Sequence, residues 1–493
     1  MYRLVSEAQQ LAADREAEVR FGFPSLLLME QAAAALFAEL AGWTKRRGIT
    51  GPWVILAGKG NNGGDGWALA RYAFLAGQAV QVVQWEPPTA TNAVSMADIA
   101  GRLGIPVCSW GTPEALALVT HAGVRIDALW GAGFRGPWRQ EDRSRMAELL
   151  SLCNLYPAPA VAVDLPSGLW SGHRQDDPVL PAELTLALGW PKLTCFLPGL
   201  RSWCGTIKSL ALGYPADAKA VAQGLEVGDF TTLVPRMPSG SHKGTRGAVA
   251  LAGGAPGMSG ALLLAARSAA AGGAGVVSLY TDDELVPTLA LAEASFQVRP
   301  TSRVTLAKAK AWVAGPGWGR APERAKQLET ILGLSCPTVI DADGLVAWKV
   351  LVEQGFRHGG QPLVLTPHPG EWARLVGSDE RSLELAQRLA GDWNCILVLK
   401  DSATWLVSAD QLAVWDGQEP GLGTGGSGDC LAGLIGAYLA RGLPAWQAAA
   451  AGVIAHGCVG SRLARSSGWF TASDLPGALA RFENEQRQNG NKG

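Results

Sequence analysis

A glycine-rich stretch near the C-terminus combines the residue types needed to bind an anion beside a base. It runs from 421 to 429 with the sequence G-L-G-T-G-G-S-G-D, and a helical pattern over 430–440 follows at once. Glycines let several backbone N–H groups turn toward one point at the start of that helix, where anions bind. Asp429 adds a carboxylate, and an anion hole beside a base can move a phosphoryl group from a nucleotide to a hydroxyl. The alternative is a glycine-rich turn in which Asp429 only caps the helix.

A second glycine-rich loop lies in the first half of the chain. It spans 58–66 with the sequence G-K-G-N-N-G-G-D-G, after a predicted strand over 53–57 and before a helix predicted over 66–76. In a parallel α/β sheet, ligands bind at the carboxyl ends of the strands. The loop is neither the dinucleotide fingerprint nor a P-loop, because no acidic residue follows at the usual distance and no Gly-Lys-Ser/Thr follows. Its glycines let the backbone approach a pyrophosphate, and its asparagines and Asp65 add hydrogen-bonding groups.

Two aspartates stand at further strand ends of the same half. Asp127 lies in a strand predicted over 126–130, before the loop 131–136, and Asp164 ends a β-rich run before Leu-Pro-Ser-Gly. Either aspartate alone could be only a turn-maker. Because three such loops follow parallel strands, they meet at one edge of the sheet, and we expect them to form one site.

The elements that position these residues follow the alternation of strands and helices of parallel α/β folds. In the first half we predict strands over 53–57, 80–85, 126–130, 160–164 and 184–188, with helices over 26–40 and 66–76. In the second half we predict strands over 248–252, 276–280, 311–314, 338–340, 363–366 and 396–399, with helices over 259–271 and 430–440. A break near 213–215 and a proline-containing segment over 229–241 separate the two series. The sequence therefore predicts two three-layer α/β domains, 1–219 and 224–490.

Composition excludes several classes of protein. The chain has 493 residues, 17% charged and 48% hydrophobic, and a net charge of −1, so nothing global attracts nucleic acid or an anionic membrane. The longest uncharged stretch, 247–266, is interrupted by glycines and a proline, and we predict no membrane span there. Eight scattered cysteines without a CxxC pair indicate free thiols in a reducing compartment. We expect a cytoplasmic protein with small-molecule substrates and no nucleic-acid or membrane partner.

The strings G-K-G-N-N-G-G-D-G, D-A-L-W-G-A-G-F-R-G and V-D-L-P-S-G together resemble the NAD(P)H-hydrate epimerase family over roughly residues 1–215. The resemblance implies a Rossmann-like fold and interconversion of the R and S epimers of hydrated NADH and NADPH. It implies catalysis by Asp164, with Lys192 as an acid/base partner or, alternatively, as a surface lysine. It places K+ between Asn62, Asp127 and Ser167, whose oxygen ligands suit such a hard cation. The residues implied for substrate binding are Asn61, Asn62, Gly63, Gly64, Asp65, Gly131, Ala132, Gly133, Phe134, Arg135, Gly136, Pro137 and Asp164.

The second half resembles the ribokinase-like, ADP- or ATP-dependent NAD(P)H-hydrate dehydratases. The pair L-T-P-H-P-G-E at 365–371 and G-G-S-G-D at 425–429 carries the resemblance. We take Asp429 as the base that accepts the proton of the hydrate's hydroxyl, with Mg2+ entering with ADP or ATP. The residues implied for hydrate binding are Ala261, Gly317, His368 and Asp429. Those for the nucleotide, including the anion-hole amides, are Lys400, Asp401, Ser402, Ala403, Thr404, Gly425, Gly426 and Gly428.

Some roles in the second half stay open at this stage. His368 could be fixed in a proline-rich turn, and Glu371 could only cap the following helix. Asp341 and Asp343 could cap loops or approach the magnesium–nucleotide complex.

Together the two halves are similar to the bifunctional NAD(P)H-hydrate repair enzymes of bacteria. We therefore expect repair of NADHX and NADPHX, the hydrated forms, in which the S epimer is dehydrated at the expense of ADP or ATP, by an enzyme that forms a homo-oligomer. One alternative is a ribokinase-like small-molecule kinase with an accessory ligand-binding domain. Another is a binding protein without activity.

Overall fold

The computed structural model describes residues 1–174, 176–213, 219–306 and 308–490. The chain divides into two compact units, an N-terminal unit from Arg3 to Ala222 and a C-terminal unit from Gln223 onward that also includes Met1 and Tyr2. Of the break predicted at 213–215, residues 214 and 215 lie outside the described residues.

The N-terminal unit is built on a seven-stranded parallel sheet. Its strands are β2 (Trp53–Ala57), β3 (Val80–Gln84), β4 (Val107–Ser109), β5 (Val124–Ala128), β6 (Ala160–Val163), β7 (Leu184–Leu188) and β8 (Thr206–Leu210). A short strand near the N-terminus, β1 (Tyr2–Leu4), is not part of this sheet. The helices are α1 (Glu7–Phe21), α2 (Ser25–Arg46), α3 (Asn61–Leu75), α4 (Thr91–Arg102), α5 (Pro113–Thr120) and α6 (Gln140–Leu155). The sheet order is β4-β3-β2-β5-β6-β7-β8.

Helices cover both faces of this sheet, which explains why its strands are apolar throughout. Side chains of α2, α3 and α4 pack on the face that carries Ile55 and Val82. Side chains of α5 and α6 pack on the opposite face, against Val54 and Leu56. The unit therefore has the three layers that the sequence predicts.

Helix α3 begins at Asn61, five residues before the predicted start, so the second half of the glycine-rich loop is its first turn. Gly63 makes this possible: a Cβ there would lie 1.8 Å from the carbonyl oxygen of Gly58. The absence of a side chain at Gly63 allows the helix and the loop to approach closely. The strand predicted over 126–130 is also displaced: β5 begins at Val124 and ends at Ala128, which leaves Trp130 outside the strand.

The C-terminal unit has a larger mixed sheet. Its strands are β9 (Ala222–Gly224), β10 (Ala248–Ala252), β11 (Val276–Thr281), β12 (Gln297–Pro300), β13 (Ala311–Ala314), β14 (Thr338–Ile340), β15 (Leu363–Leu365), β16 (Ile396–Leu399), β17 (Thr404–Val407) and β18 (Leu412–Trp415). The sheet order is β9-β18-β17-β16-β15-β14-β13-β10-β11-β12. Strands β10 to β16 are parallel to their neighbours among themselves, whereas β17 is antiparallel to both β16 and β18.

The helices of this unit lie between and around the strands. They are α7 (Phe230–Leu233), α8 (Ser259–Ala271), α9 (Val286–Ala292), α10 (Glu323–Leu332), α11 (Asp343–Glu353), α12 (Pro369–Val376), α13 (Leu383–Asp392), α14 (Ser427–Ala440), α15 (Ala445–Ser467) and α16 (Leu475–Gly490). Helices α8, α14, α15 and α16 contribute to one apolar core with the central strands. Helix α14 packs closely on α8, because Gly433 has no side chain and its Cβ position lies 1.9 Å from the carbonyl oxygen of Ala265. The uncharged stretch 247–266 forms β10 and the first part of α8.

Candidate active sites

The N-terminal unit contains a cavity of about 1020 Å³ at the carboxyl end of its sheet. Its volume is at the upper end of the range usual for small-molecule sites. Two of the three loops predicted to meet at this edge contribute to its wall, whereas the third strand end contributes Asp164 but not the loop 165–168 that follows it. The predicted site residues in the wall are Asn61, Asn62, Asp65, Gly131, Ala132, Gly133, Phe134, Arg135, Pro137, Asp164 and Lys192.

Five other predicted residues of this unit do not line the cavity. They are Gly63, Gly64, Gly136, Asp127 and Ser167. The first two face packed atoms: a Cβ on Gly64 would lie 2.6 Å from Cε of Met29, and Gly63 lies against Gly58. Their place in the loop is therefore explained by close packing rather than by ligand contact.

Asp164 is held by hydrogen bonds in the wall of the cavity. Directly after β6 it takes a left-handed conformation, with φ of 70°, which aspartate tolerates better than most residues. One carboxylate oxygen accepts from the backbone N of Ala132 at 3.1 Å, and the other accepts from the N of Leu188 at 3.2 Å and from Nζ of Lys192. Lys192 is fully buried and also donates to the carbonyl oxygen of Leu188 at 2.6 Å. It is therefore not a surface lysine, and its charge is paired with Asp164.

Asp65 has the opposite environment in the same cavity. It lies in the first turn of α3 and is buried, and the described residues donate no hydrogen bond to its carboxyl group. Burial raises the pKa of Asp65 well above its ordinary value, and Asp164 and Asp14 add to the rise while Lys192 opposes it. The two carboxyl groups of this cavity therefore differ in their surroundings: Asp164 accepts several hydrogen bonds, whereas the carboxyl group of Asp65 accepts none from the described residues.

Asp127 and Ser167 form a buried pair beneath the cavity wall. Oγ of Ser167 donates to one carboxylate oxygen at 2.5 Å, and its backbone N donates to the other at 2.7 Å. Burial raises the pKa of Asp127 to about 6. Asn62 has a buried amide nitrogen without a hydrogen-bond partner in the described chain. These side chains supply carboxylate, hydroxyl and amide oxygens, the donor types that suit a hard cation.

In the C-terminal unit, helix α14 begins at Ser427, three residues earlier than predicted. Its N-cap is Gly426, with φ of 92°, and Asp429 is the third residue of the helix. Asp429 is therefore not the helix cap. Within the described chain the N–H groups of Gly425, Gly426 and Gly428 have no backbone acceptor. They remain available to an anion at the helix N-terminus.

The environment of Asp429 gives its carboxyl group a neutral-range pKa. Burial and the charge of Asp341 raise the pKa to about 7, with smaller rises from Glu371 and Asp343, while Lys400 opposes them. A general base works best when its pKa is near the operating pH. The side chain is therefore suited to accept a proton at neutral pH.

Lys400 lies directly beside the start of α14. Its Nζ is 2.9 Å from Oδ1 of Asp341 and 3.8 Å from Oε2 of Glu371, and a Cβ on Gly428 would lie 2.9 Å from Nζ. Burial alone would lower the pKa of Lys400, but the two carboxylates outweigh it and the pKa is raised. A charged ammonium group therefore stands beside the free amides, as an anionic ligand requires.

Comparisons with known proteins agree with the family resemblance of each half of the chain. A family described as YjeF-related protein N-terminus matches residues 25–194, and one described as NAD(P)H-hydrate dehydratase matches residues 249–481. A protein of Moorella thermoacetica named bifunctional NAD(P)H-hydrate repair enzyme Nnr is 31% identical, with 98% of this chain and 97% of that protein covered. The chain belongs to this family.

Two solved structures are similar to the C-terminal unit of this family member. A ribokinase-like superfamily protein from Enterococcus faecalis is 26% identical with a TM-score of 0.50, covering 54% of this chain and 96% of that one. A Bacillus subtilis protein described as an ADP/ATP-dependent NAD(P)H-hydrate dehydratase was co-crystallized with ATP/Mg2+; it is 23% identical with a TM-score of 0.49, covering 54% and 99%. The two family models and the Moorella relative confirm the predicted family, and the Enterococcus structure agrees with the ribokinase-like fold predicted for the second domain.

In this bifunctional repair family member, the residues predicted for the hydrate lie in two places of the C-terminal unit. Gly317, with φ of 56°, approaches Ala261: a Cβ on the glycine would lie 3.1 Å from that of the alanine. His368 caps α12; its Nδ1 accepts from the N of Gly370 at 3.1 Å, and its backbone N donates to Glu371 at 2.8 Å. Glu371 thus caps the helix and also reaches Lys400, which links His368 to the surroundings of Asp429.

The predicted nucleotide segment 400–404 joins β16 to β17. Oδ1 of Asp401 accepts from the N of Ser402 at 2.7 Å, and Oδ2 lies 3.6 Å from Nη1 of Arg381. Ala403 is buried, and Thr404 begins β17. Asp401 is not among the residues with a positive φ, so its backbone conformation does not need glycine. Arg381 offsets its negative charge.

Sequence reasoning missed His456, which contacts Ser427 from helix α15. The available signal was a single histidine in the apolar run from 448 to 458, which forms a buried stretch of that helix.

Among the described residues, one helix, α2, is long and apolar enough to cross a membrane by length and composition, and core helices of soluble proteins meet the same test.

Proposed function

We propose that the chain interconverts the R and S epimers of hydrated NADH and NADPH in the N-terminal unit and dehydrates the S epimer in the C-terminal unit, with ADP or ATP as phosphoryl donor. The observation that carries the proposal is Asp429, a carboxyl group with a pKa of about 7 beside free amides at the start of α14. The experiment is to supply hydrated NADH, Mg2+ and either nucleotide, and to follow the NADH absorbance.

The dehydration follows from the chemistry of the hydrate. Its hydroxyl group is on the ring carbon next to the ring nitrogen, and hydroxide is a poor leaving group. Asp429 takes the hydroxyl proton while the oxygen attacks the terminal phosphorus and the bond to the nucleotide breaks. The nitrogen lone pair then expels phosphate, and loss of a proton from the neighbouring carbon gives the nicotinamide ring of NADH.

The residues around Asp429 have separate tasks in this reaction. The amides of Gly425, Gly426 and Gly428 would bind the transferred phosphoryl group, and Lys400 would face its negative charge. Mg2+ would neutralise charge on the nucleotide phosphates. No group of three or more His, Cys, Asp or Glu side chains in the described ranges is arranged to hold a metal ion, so we expect the ion to enter with the nucleotide.

In the N-terminal unit we propose Asp164 as the base that takes the hydroxyl proton of the hydrate while the bond from the same ring carbon to the ring nitrogen breaks and the nitrogen keeps the bonding electrons. The ring opens to an aldehyde, and its closure on the other face, with the proton returned to the oxygen, gives the other epimer. Lys192 pairs directly with Asp164, and the cavity around them has room for a dinucleotide. Asn61, Asn62 and the loop 131–137 would hold the remainder of the ligand. Asn62, Asp127 and Ser167 would hold K+, since their oxygen donors fit such an ion.

We also propose a cytoplasmic homo-oligomer that acts on small molecules without a nucleic-acid or membrane partner. The near-neutral net charge of −1 supports the proposal that the chain has no nucleic-acid or membrane partner.

The pH dependence of dehydration tests the environment of Asp429. Because the reaction needs the ionised base, the rate should rise with pH and reach half its maximum near the pKa of about 7. At lower pH it should fall about tenfold per unit, as for a single essential base. The measurement is kcat/KM for the S epimer against pH, with saturating nucleotide. A rate that is flat from about pH 5 to about pH 8 would remove Asp429 from this role.

Ion dependence tests the K+ proposal. Replacing Ser167 by alanine removes one oxygen donor, so the K+ concentration for half-maximal epimerisation should rise about tenfold. The measurement is a K+ titration of epimer exchange, with the melting temperature of each variant as a control for folding. An epimerase that is indifferent to K+ removal contradicts the assignment.

A further inference from the structure

Helix α15 contributes a buried histidine to the start of α14. Nε2 of His456 lies 2.9 Å from Oγ and 3.0 Å from the carbonyl oxygen of Ser427. His456 is 8% exposed and Ser427 is 3% exposed. Ser427 is the first residue of α14, between Gly426 and Gly428, whose amides we assign to the anion hole.

The two contacts of Nε2 determine which ring nitrogen carries the hydrogen. A carbonyl oxygen only accepts hydrogen bonds, so Nε2 must be the donor to Ser427, and the same N–H is shared with Oγ. Burial lowers the pKa of His456 to about 4, so the ring is neutral at pH 7 and has one hydrogen. His456 therefore acts as a fixed donor.

This arrangement leaves the hydroxyl hydrogen of Ser427 available. Because Oγ already accepts from His456, it can donate its own hydrogen to another acceptor. The described residues give Oγ no second partner. The same N–H also restrains the carbonyl of the first residue of α14, and hence the orientation of the first helical turn.

We propose that His456 is a positioning residue for phosphoryl transfer: it holds Ser427 so that its hydroxyl and the adjacent amides are oriented toward the transferred group. This rests on the dehydratase function proposed above. Oriented donors stabilise developing charge without reorganisation during the reaction, and small displacements of such donors are costly.

The competing explanation is that His456 only fills a buried space between two helices. In that case its replacement would lower the melting temperature and leave kcat unaffected in the protein that remains folded. A role in positioning lowers kcat at temperatures where the variant is fully folded.

The experiment compares His456→Leu with His456→Gln in the full chain. Leucine has no N–H donor, so kcat for dehydration should fall about ten- to hundredfold, with KM for hydrate and nucleotide changed less than about threefold. Glutamine retains an N–H donor and should recover most of the loss. Ser427→Ala should lower kcat to a similar extent, and the double variant should lose no more than either single one.

Epimerisation by the same chain serves as the control for concentration and for folding of the N-terminal unit. A kcat for His456→Leu within about threefold of the wild type overturns the inference, as do losses that multiply in the double variant. A wild-type chain without dehydratase activity contradicts the proposed function itself. If the wild type is active and His456→Leu has an unchanged kcat for dehydration, only the role of His456 is contradicted.

Discussion

Asp429→Asn lowers the rate of dehydration by about a thousandfold and leaves epimerisation unchanged. Asparagine has the shape of aspartate but cannot accept the hydroxyl proton as an ionised carboxylate does. The amides of Gly425, Gly426 and Gly428 stay in place, so the nucleotide should still bind with little loss of affinity. The measurement is kcat for NADH formation from the S epimer, together with nucleotide binding by calorimetry.

The matched control is Asp379→Asn, an exposed aspartate of the same unit. It should retain dehydration within about twofold, as surface substitutions usually do. Simultaneous loss of dehydration and epimerisation in the Asp429 variant would show that the two activities are not divided between the units. An active Asp429→Asn enzyme would remove the base on which the dehydratase mechanism depends.

Asp164→Asn lowers epimerisation by about a thousandfold while the S epimer is still dehydrated. Asparagine is preferred to alanine as the replacement, because the position has a φ of 70° and asparagine tolerates left-handed backbone. It also retains an acceptor for the N of Ala132. What is lost is the negative charge that pairs with the buried Lys192, together with the oxygen that accepts from the N of Leu188.

The loss of that charge leaves the Lys192 ammonium group buried with one carbonyl partner, so the N-terminal unit should also become less stable. Melting curves therefore accompany the rate measurement, which is made on the folded enzyme with separated R and S epimers. Asp98→Asn, on an exposed face of α4, is the control and should behave as the wild type. Unchanged exchange of R and S in Asp164→Asn would remove this residue from the active site.

The strands and several helices were predictable because their apolar runs are local signals. Strand β10 and helix α8 agree with the predicted limits, as does β2. The starts of α3 and α14 were not predictable, because glycines that usually end a helix here occupy its first turn. At Gly63 neighbouring backbone comes too close for a side chain, and at Gly428 the side chain of Lys400 does. The antiparallel strands β17 and β18 were also missed, since these four-residue strands follow a short connection within a parallel series.

The chemistry of the sites was partly predictable from the loops that carry it. The position of Asp429 beside free amides follows from its glycine-rich string, and Asp164 follows from its strand end. The contacts between the residues around these carboxyl groups could not be predicted, because the partners are distant in sequence. Lys400 meets Asp341 59 residues away, and His456 meets Ser427 29 residues away.

The most direct test is complete conversion of a mixture of the R and S hydrates of NADH by the wild-type chain with Mg2+ and ADP or ATP. If each unit has the proposed activity, the S epimer is converted first and the R epimer follows as it is epimerised, so all of the NADH is recovered. A chain that leaves both hydrates intact while it phosphorylates other alcohols is a kinase and contradicts the account. Recovery that stops when the S epimer is exhausted contradicts the epimerase half.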